Sequence, residues 1–322
     1  MVRWYLARYH GTPWDTGTAR MFMAPNLVGH FAITEGAYTR GDPDALFKLL
    51  VATAMFQKRS DQQIMRVLRG IDEGDTRDLT DLARLRRRAA AGGCDALDST
   101  TSLRELCDLT KDGGRGVCRY RPEATCHLRR HTELLKRYGH FGKVPSSIAL
   151  AIKEAGARDL AVLRASVLNT AKSPEDTTAR LKDALCRAWR VSEKISSMFL
   201  SLVAVPDLCP GVAPPWQEGL DWTQVVVVDS NVDLFLRAIG YPGPRTYEAR
   251  RQFVRALARR VDLAELKPDL SPYNPRLVQQ AFYLFMSTLN RREGPVDCYD
   301  GTPETCSRCP SELRGICPRR VT

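Results

Sequence analysis

The chain lacks any long hydrophobic run. Although 43% of its 322 residues are hydrophobic, no segment approaches the roughly 20 consecutive apolar residues that cross a bilayer. Residues 1–6 also lack the uninterrupted apolar stretch of a secretory signal. We therefore expect a cytoplasmic protein that stays out of membranes. Its ten cysteines should then be reduced or bound to metal.

Acidic residues are fewer than basic ones. The chain has 37 Asp and Glu against 48 Lys and Arg, which gives a formal net charge of +11 and an isoelectric point near 9.3. This balance favours a polyanionic partner, with nucleic acid as the first candidate. Charge alone does not identify the partner, because many basic proteins bind no nucleic acid.

The end of the chain has only one tight C-x2-C pair, whereas zinc sites usually have two. Four cysteines lie close together with the spacing C-x7-C-x2-C-x7-C. A compact run with one tight pair and two longer arms suits a four-cysteine iron–sulfur cluster better, and zinc is the alternative. The expected ligands are Cys298, Cys306, Cys309 and Cys317.

A second group of cysteines lies in a polar, arginine-rich segment, residues 72–130. Their spacings, x12, x10 and x7, match no rule for metal ligands. The pattern favours a solvated insertion with scattered thiols, and a second metal site is the open alternative. These cysteines are Cys94, Cys107, Cys118 and Cys126.

Most of the remaining sequence has helical periodicity, so we predict a mainly α fold. Residues 1–36 show no clear period and are predicted to form a non-regular arm. Residues 46–56 are apolar nearly all round, as in a buried helix, and this helix ends at Gln57. Further helices are expected after a capping box at Ser60, within 131–168, as a helix–hairpin–helix over 176–203, and at about 246–262 and 276–290.

Four consecutive valines, 225–228, are typical of a strand when taken alone. The apolar residues that follow, Val232 and Phe235 among them, continue with helical spacing. We therefore expect a helix here, with Asp229 or Ser230 as its N-cap.

The order of these elements resembles the helix-hairpin-helix DNA glycosylase superfamily, specifically its iron–sulfur branch similar to endonuclease III. The resemblance covers roughly 45–71 and 131–317. Its most specific part is Val228–Val232 together with the terminal cysteines, because the family's similar Val-Asp-Thr-His-Val segment carries the catalytic aspartate. The implied fold has two lobes. The implied domains are 1–45, an arm joining the cluster lobe; 46–205, a helical barrel lobe containing the insertion 72–130; and 206–322, the lobe with the iron–sulfur cluster.

The resemblance also assigns residues to roles. Asp229 matches the catalytic aspartate, and Lys194 falls where bifunctional members carry their nucleophilic lysine. Gln57 matches a glutamine that fills the gap left by the extruded nucleotide. The cluster is expected to be structural and to place a basic loop, including Arg308, on phosphate.

The hairpin departs from the family pattern because it has no glycine. The family's Leu-Pro-Gly-Val-Gly is replaced by residues 188–192, Ala-Trp-Arg-Val-Ser. The close backbone approach to a DNA phosphate is therefore altered, with Arg190 and Ser192 as the expected DNA contacts. The cysteine spacing also differs from the family's usual x6, x2, x5.

The resemblance implies a monomeric enzyme that acts on double-stranded DNA. It would flip out a damaged, mismatched or modified base, excise it by lysine attack at C1′, and cleave the strand as a lyase. One alternative is a monofunctional glycosylase in which Asp229 activates water. Another is a glycosylase-derived DNA-binding protein without catalysis. The short tail after Cys317 argues against adenine-mismatch glycosylases, and the excised base is otherwise left open.

Overall fold

The computed structural model describes residues 1–12, 14–91, 94–107, 109, 126–136, 139–288, 290, 306–307 and 309–318. This part of the chain is mainly helical and contains no β-strand, so the predicted fold class is confirmed at that level. None of its helices has both the length and the apolar character needed to cross a membrane.

The helices of the described residues follow one another in this order. They are α1 Val2–Arg8, α2 Ala19–Phe22, α3 Pro25–Val28, α4 Glu35–Thr39, α5 Pro43–Ala54, α6 Asp61–Arg69, α7 Glu73–Thr80, α8 Leu82–Ala90, α9 Thr100–Leu106, α10 His127–Leu134, α11 Val144–Glu154, α12 Leu160–Thr170, α13 Pro174–Cys186, α14 Glu193–Ala204, α15 Ser230–Ala238, α16 Tyr247–Ala258, α17 Leu263–Leu266, α18 Pro275–Met286 and α19 Ser311–Ile316. Short 3₁₀ turns occur at Gly29–Phe31, Asp95–Leu97, Gly139–Lys143 and Trp222–Gln224.

The N-terminal segment is not the non-regular arm that the sequence suggested. Residues 1–36 contain α1 to α3 and the start of α4. These helices are only four to seven residues long, too short for a 3.6-residue period to be recognised. Burial holds them in place, because Tyr5 and Tyr9 are fully buried and α1 packs against α18.

The buried helix predicted over 46–56 forms as α5, which begins three residues earlier at Pro43, and the helix predicted after Ser60 forms as α6. Helix α5 is buried along most of its length and contacts α14. Helix α6 opens with a complete capping box, in which the Ser60 hydroxyl accepts from the Gln63 amide and the Gln63 side chain accepts from the Ser60 amide. The capping box thereby fixes the start of α6.

The segment predicted as a solvated insertion has a core of its own. Helices α7 and α8 pack into the main core through Leu79, Leu82 and Leu85. A second, smaller cluster lies further on and is built from α9, α10 and α11 residues with the loops between them. Its buried members are Ala96, Leu97, Leu103, Cys107, Leu109, Leu128 and Leu150.

The run of four valines is buried and forms no strand in the described structure. Residues 225–228 are each at most 5% exposed, and the helix predicted after them begins at Ser230. This buried run places the start of α15 beside α18, which it contacts. The start of α15, the α5–α6 turn, α14 and α18 then surround one cavity.

Candidate active site

The connection between α13 and α14 has an unusual backbone conformation at Arg190. Its φ angle is +64°, in the left-handed region that costs a non-glycine residue about 1 kcal/mol or more. The conformation is supported by Gln57, whose Nε2 donates to the Arg190 carbonyl at 2.9 Å and to the Ala54 carbonyl at 2.7 Å. The Arg190 guanidinium also lies over the rings of Phe141 and Trp189, 5.6 Å from each centroid. A tight turn therefore forms here without glycine.

Lys194 is the second residue of α14 and lies one turn from the hairpin. The following residues, Ile195 and Phe199, are fully buried and anchor the helix in the core. The Lys194 side chain is partly buried, and its amine makes no hydrogen bond or ion pair to any described residue. An amine held at a cavity wall without a salt bridge is available to react.

Asp229 is the N-cap of α15, as predicted. Its Oδ1 accepts hydrogen bonds from the backbone amides of Asn231 at 3.0 Å and Val232 at 2.9 Å. Its Oδ2 has no hydrogen-bond partner within the described ranges. Burial raises the pKa of this carboxyl, while the positive charge of Lys194 and the two amide hydrogen bonds lower it. One oxygen is thus fixed and the other can accept a proton.

One cavity of about 630 Å³ brings Lys194 and Asp229 together. Both apolar and polar side chains line it. They include Met21, Phe22, Phe56, Lys58, Arg59, Asp61, Lys194, Asp229, Arg276, Gln279, Gln280, Tyr283, Met286 and Asn290.

Three of the polar side chains that line the cavity form a hydrogen-bonded cluster. The Tyr283 hydroxyl donates to Asp61 Oδ2, and the Asn290 amide donates to the same oxygen at 2.9 Å and to the Tyr283 oxygen at 2.6 Å. Burial raises the pKa of Asp61, and the negative charge of Asp229 raises it further, whereas Tyr283 and Lys194 lower it. Asp61 and Asp229 therefore share the cavity with Lys194.

A buried arginine connects the cavity to the N-terminal segment. Arg276 is 3% exposed and donates to Gln280 Oε1 at 2.8 Å and to the Gly17 carbonyl at 3.3 Å. Gln280 in turn donates to Asp15 at 2.9 Å, and Tyr5 donates to the other Asp15 oxygen at 2.7 Å. Burial raises the pKa of Asp15 to about 7. The N-terminal segment thus helps to fix the position of α18.

The other predicted DNA-contact residues lie around the hairpin or outside the described residues. Gln57 joins the end of α5 to the hairpin and does not line the cavity, whereas the exposed Lys58 and Arg59 beside it do. Ser192 is exposed at the N-cap of α14. Arg308 lies outside the described residues.

Three of the four predicted cluster ligands are described. Cys306, Cys309 and Cys317 are partly buried and make no disulfide, and burial of Cys309 and Cys317 is against the main core. Thiols of this kind suit an iron–sulfur or zinc group chemically. However, no three His, Cys, Asp or Glu side chains in the described ranges form a metal-binding group. The fourth predicted ligand, Cys298, lies outside those ranges.

Three cysteines of the 72–130 segment lie in or against one small core. Cys94 and Cys126 pack against the small core that contains Cys107. Burial raises the pKa of Cys107 to about 11, and nearby Cys126 and Cys94 add to the rise. Cys118 lies outside the described residues, so the choice between scattered thiols and a second metal site stays a prediction.

Sequence reasoning missed the cluster of Asp61, Tyr283 and Asn290. Asp61 belongs to the capping sequence after Ser60, and the sequence assigns no function to Tyr283 or Asn290. A signal was present in α18, where Arg276, Gln279 and Gln280 recur at helical spacing in an otherwise apolar helix. Polar residues on the buried face of a helix indicate a site or a buried network.

The comparisons with known proteins add no assignment. No protein-family model matches the chain, and a search of curated proteins finds no match.

Proposed function

We propose that the protein is a DNA N-glycosylase of the helix-hairpin-helix type, with Lys194 as nucleophile and an accompanying lyase activity. The observation that carries the proposal is that Lys194 and Asp229 line the same cavity. The Lys194 amine has no salt bridge to the described residues, and only one oxygen of the Asp229 carboxylate accepts hydrogen bonds from them. Both residues stand next to the elements that the family resemblance assigns them to: a hairpin, and a buried run ending in a helix N-cap.

Asp229 suits the electrostatic part of this chemistry. Breaking the bond between a base and C1′ builds positive charge on the sugar, and a nearby carboxylate stabilises that charge. The two amides of α15 fix Oδ1, which leaves Oδ2 to face the reacting sugar or to take a proton. Partial burial of Asp229 strengthens both its stabilisation of the positive charge on the sugar and its attraction for a proton, because charges interact more strongly away from water.

Lys194 would supply the covalent step. Its Nζ lone pair attacks C1′, the bond from C1′ to the base nitrogen breaks, and the base leaves with that electron pair and takes up a proton. Asp229 accepts a proton from the attacking amine. Opening of the sugar ring then gives a protonated Schiff base, from which β-elimination expels the 3′ phosphate and cleaves the strand.

The surroundings of the cavity suit a DNA backbone. Lys58 and Arg59 stand at its rim and are exposed, and Arg190 lies in the hairpin between α13 and α14. These cations would contact phosphates on either side of a flipped nucleotide. The net charge of +11 adds a general attraction to DNA.

We also propose a four-iron four-sulfur cluster at the C-terminus, held by Cys298, Cys306, Cys309 and Cys317. Its role would be to fix the fold of the terminal loop. The amine of Met1 lies near Cys309, whose charge raises its pKa against the larger lowering by burial.

The test is base release and strand cleavage on a panel of duplexes, each with one oxidised, deaminated, methylated or mismatched base. The wild-type protein is compared with Lys194→Gln and with Lys172→Gln, a matched change at an exposed lysine outside the cavity. The proposal expects one lesion to be released and cleaved by wild type and Lys172→Gln, but not cleaved by Lys194→Gln.

Two other outcomes separate the rival functions. Release without cleavage, dependent on Asp229, would identify a monofunctional glycosylase that uses activated water. Binding of duplex DNA with no release from any lesion, unchanged by Asp229→Asn, would support a DNA-binding protein without catalysis and would contradict the proposal.

A further inference from the structure

Helix α9, in the segment 72–130, lies against the hairpin between α13 and α14. The guanidinium of Arg104 on α9 lies over the ring of Trp189 in the hairpin, 5.9 Å from the ring centroid. Cys107, the residue directly after α9, accepts a hydrogen bond through its carbonyl from the Lys143 amine, and this amine also lies over Trp189. A segment outside the family resemblance therefore contacts the hairpin.

Three positive charges from three elements lie around the ring of Trp189. In addition to Arg104, the Lys143 amine beside the start of α11 lies 5.0 Å from the ring centroid, and the Arg190 guanidinium lies 5.6 Å from it. All three distances fall within the roughly 6 Å over which an aromatic face attracts a cation. Because like charges repel one another, a cluster of this kind is stabilised further by an anionic ligand.

Arg104 is the cation of this cluster that a large ligand reaches most easily. It is exposed, whereas Arg190 is partly buried and Lys143 is only 3% exposed. The Arg104 side chain makes no ion pair or hydrogen bond with the described residues, so its N–H groups can donate to a phosphate. Lys143 adds positive charge from the interior.

The cluster is connected to the cavity that contains Lys194 and Asp229. Gln57 donates to the carbonyl of Arg190 at 2.9 Å, and the two residues that follow Gln57 are exposed cations that line the cavity. Duplex DNA carries one negative charge for about every 1.7 Å of its axis. A duplex with one nucleotide in the cavity must therefore extend beyond the cavity and meet the neighbouring protein surface.

We propose that Arg104 binds a backbone phosphate of the DNA that occupies the cavity, so that the segment 72–130 forms part of the DNA-binding surface together with the hairpin. The inference rests on the proposed glycosylase function and assigns a DNA contact to a segment that the family resemblance does not cover. Arg104 contributes to binding and takes no part in bond breaking. Trp189 holds its guanidinium in place through the ring contact.

The experiment measures the salt dependence of DNA binding by the full-length protein. The probe is a fluorescent duplex with one tetrahydrofuran residue, which has no base to excise. Fluorescence anisotropy gives the affinity at several salt concentrations between about 50 and 200 mM, and the slope of log affinity against log salt reports the number of phosphate contacts. Urea denaturation shows that each variant is folded.

Three variants separate a phosphate contact from a change in net charge or in packing. Arg104→Gln should make the slope shallower by about one and weaken binding about threefold or more at low salt. Arg104→Lys keeps the charge and should retain the slope. Arg87→Gln is the matched control, because Arg87 is exposed on α8 in the same segment and its side chain has no partner among the described residues. Its slope should equal that of wild type.

A second measurement locates the contact on the DNA. Single phosphates on either side of the tetrahydrofuran are replaced one at a time by uncharged methylphosphonates. The inference expects a position at which this change weakens binding of wild type and of Arg87→Gln but not of Arg104→Gln, since two changes that remove the same contact are not additive. Additive effects at every position would contradict a contact between Arg104 and phosphate.

The results distinguish this inference from the function on which it rests. An unchanged slope in Arg104→Gln, or an equal loss of slope in Arg87→Gln, would overturn the inference and leave the glycosylase proposal standing, because that proposal depends on Lys194 and Asp229. Absence of binding to any duplex by the wild-type protein would overturn both.

Discussion

At the scale of single residues, burial and charge decide what each carboxyl group of the cavity region does. Burial raises the pKa values of Asp15, Asp61 and Asp229, but their partners differ. Asp15 is surrounded by hydrogen-bond donors in the interior, whereas Asp229 has the positive charge of Lys194 nearby. Asp229 therefore suits proton transfer, and Asp15 suits a structural role.

Asp229→Asn separates catalysis from folding. Asparagine is also a good N-cap, so the amide bonds to Asn231 and Val232 can persist and the free energy of unfolding should change by less than about 1 kcal/mol. The base for proton transfer is lost, and excision should fall by about 10²-fold or more. Single-turnover base release and urea denaturation check the two parts. Full activity in a folded variant would show that Asp229 is only a helix cap.

Asp15→Asn should alter the pH dependence of stability. With a pKa of about 7 in the folded protein and an ordinary value near 4 when unfolded, the folded state holds the extra proton between these values. Stability from this group is therefore greatest at low pH and falls as the pH rises to about 7.

An asparagine mimics the neutral acid and does not titrate. Relative to wild type, Asp15→Asn should thus gain up to about 2–3 kcal/mol in the free energy of unfolding between pH 5 and pH 7.5, because each pKa unit corresponds to about 1.4 kcal/mol. Urea denaturation at both pH values measures this difference. An equal free-energy difference between the two proteins at both values would contradict it.

At the scale of elements, the hairpin between α13 and α14 combines a strained backbone with a side chain that compensates for it. Arg190 adopts a left-handed conformation where the resembling family has glycine, and its guanidinium packs on Phe141 and Trp189. Ring contacts and the bond from Gln57 thus support a backbone conformation that glycine usually adopts.

The pair Arg190→Gly and Arg190→Ala tests this account. Both variants lose the guanidinium, but only alanine keeps the left-handed penalty, so Arg190→Gly should be about 1 kcal/mol more stable than Arg190→Ala. If Arg190 binds a phosphate, both should also reduce the slope of log affinity against log salt by about one. Equal stability of the two variants in urea would show that the backbone is not left-handed at this position.

Much of the helical framework could be predicted from the sequence because local signals were strong. The capping box at Ser60, the proline after Ser173 and the N-cap at Asp229 each fix a helix start by contacts within four residues. The N-terminal helices could not be predicted in this way. They are short, and the burial of Tyr5 against α18 depends on residues far away in the chain.

The cavity was only half predictable for the same reason. Lys194 and Asp229 were found through segments that resemble a known family. The Asp61–Tyr283–Asn290 cluster joins residues from two distant parts of the chain and has no local pattern. The polar residues of α18 can be recognised in the sequence, but the cavity that they line forms only when α18 packs against the other helices.

At the scale of the whole molecule, the N-terminal amine lies near one of the terminal cysteines. Helix α19 buries Leu313 in the main core, and the Met1 amine lies near Cys309. A metal centre here would fasten the end of the chain to α1.

The protein purified without oxygen is therefore expected to contain about four iron atoms per chain and matching sulfide. Cys309→Ser should lose most of this iron, whereas Cys186→Ser, at a partly buried cysteine beside Ser196, should keep it. Elemental analysis and the visible absorption spectrum measure the content. Zinc in place of iron, or full iron retention by Cys309→Ser, would contradict the assigned cluster.

The most direct test of the central claim is to trap the covalent intermediate and locate it. The protein is incubated with the duplex that it cleaves, reduced with borohydride, digested and mapped by mass spectrometry. The account predicts one sugar adduct, on the amine of Lys194, and none in Lys194→Gln. An adduct on another amine such as that of Met1, or cleavage without any trapped adduct, would contradict the assignment of Lys194 as the nucleophile.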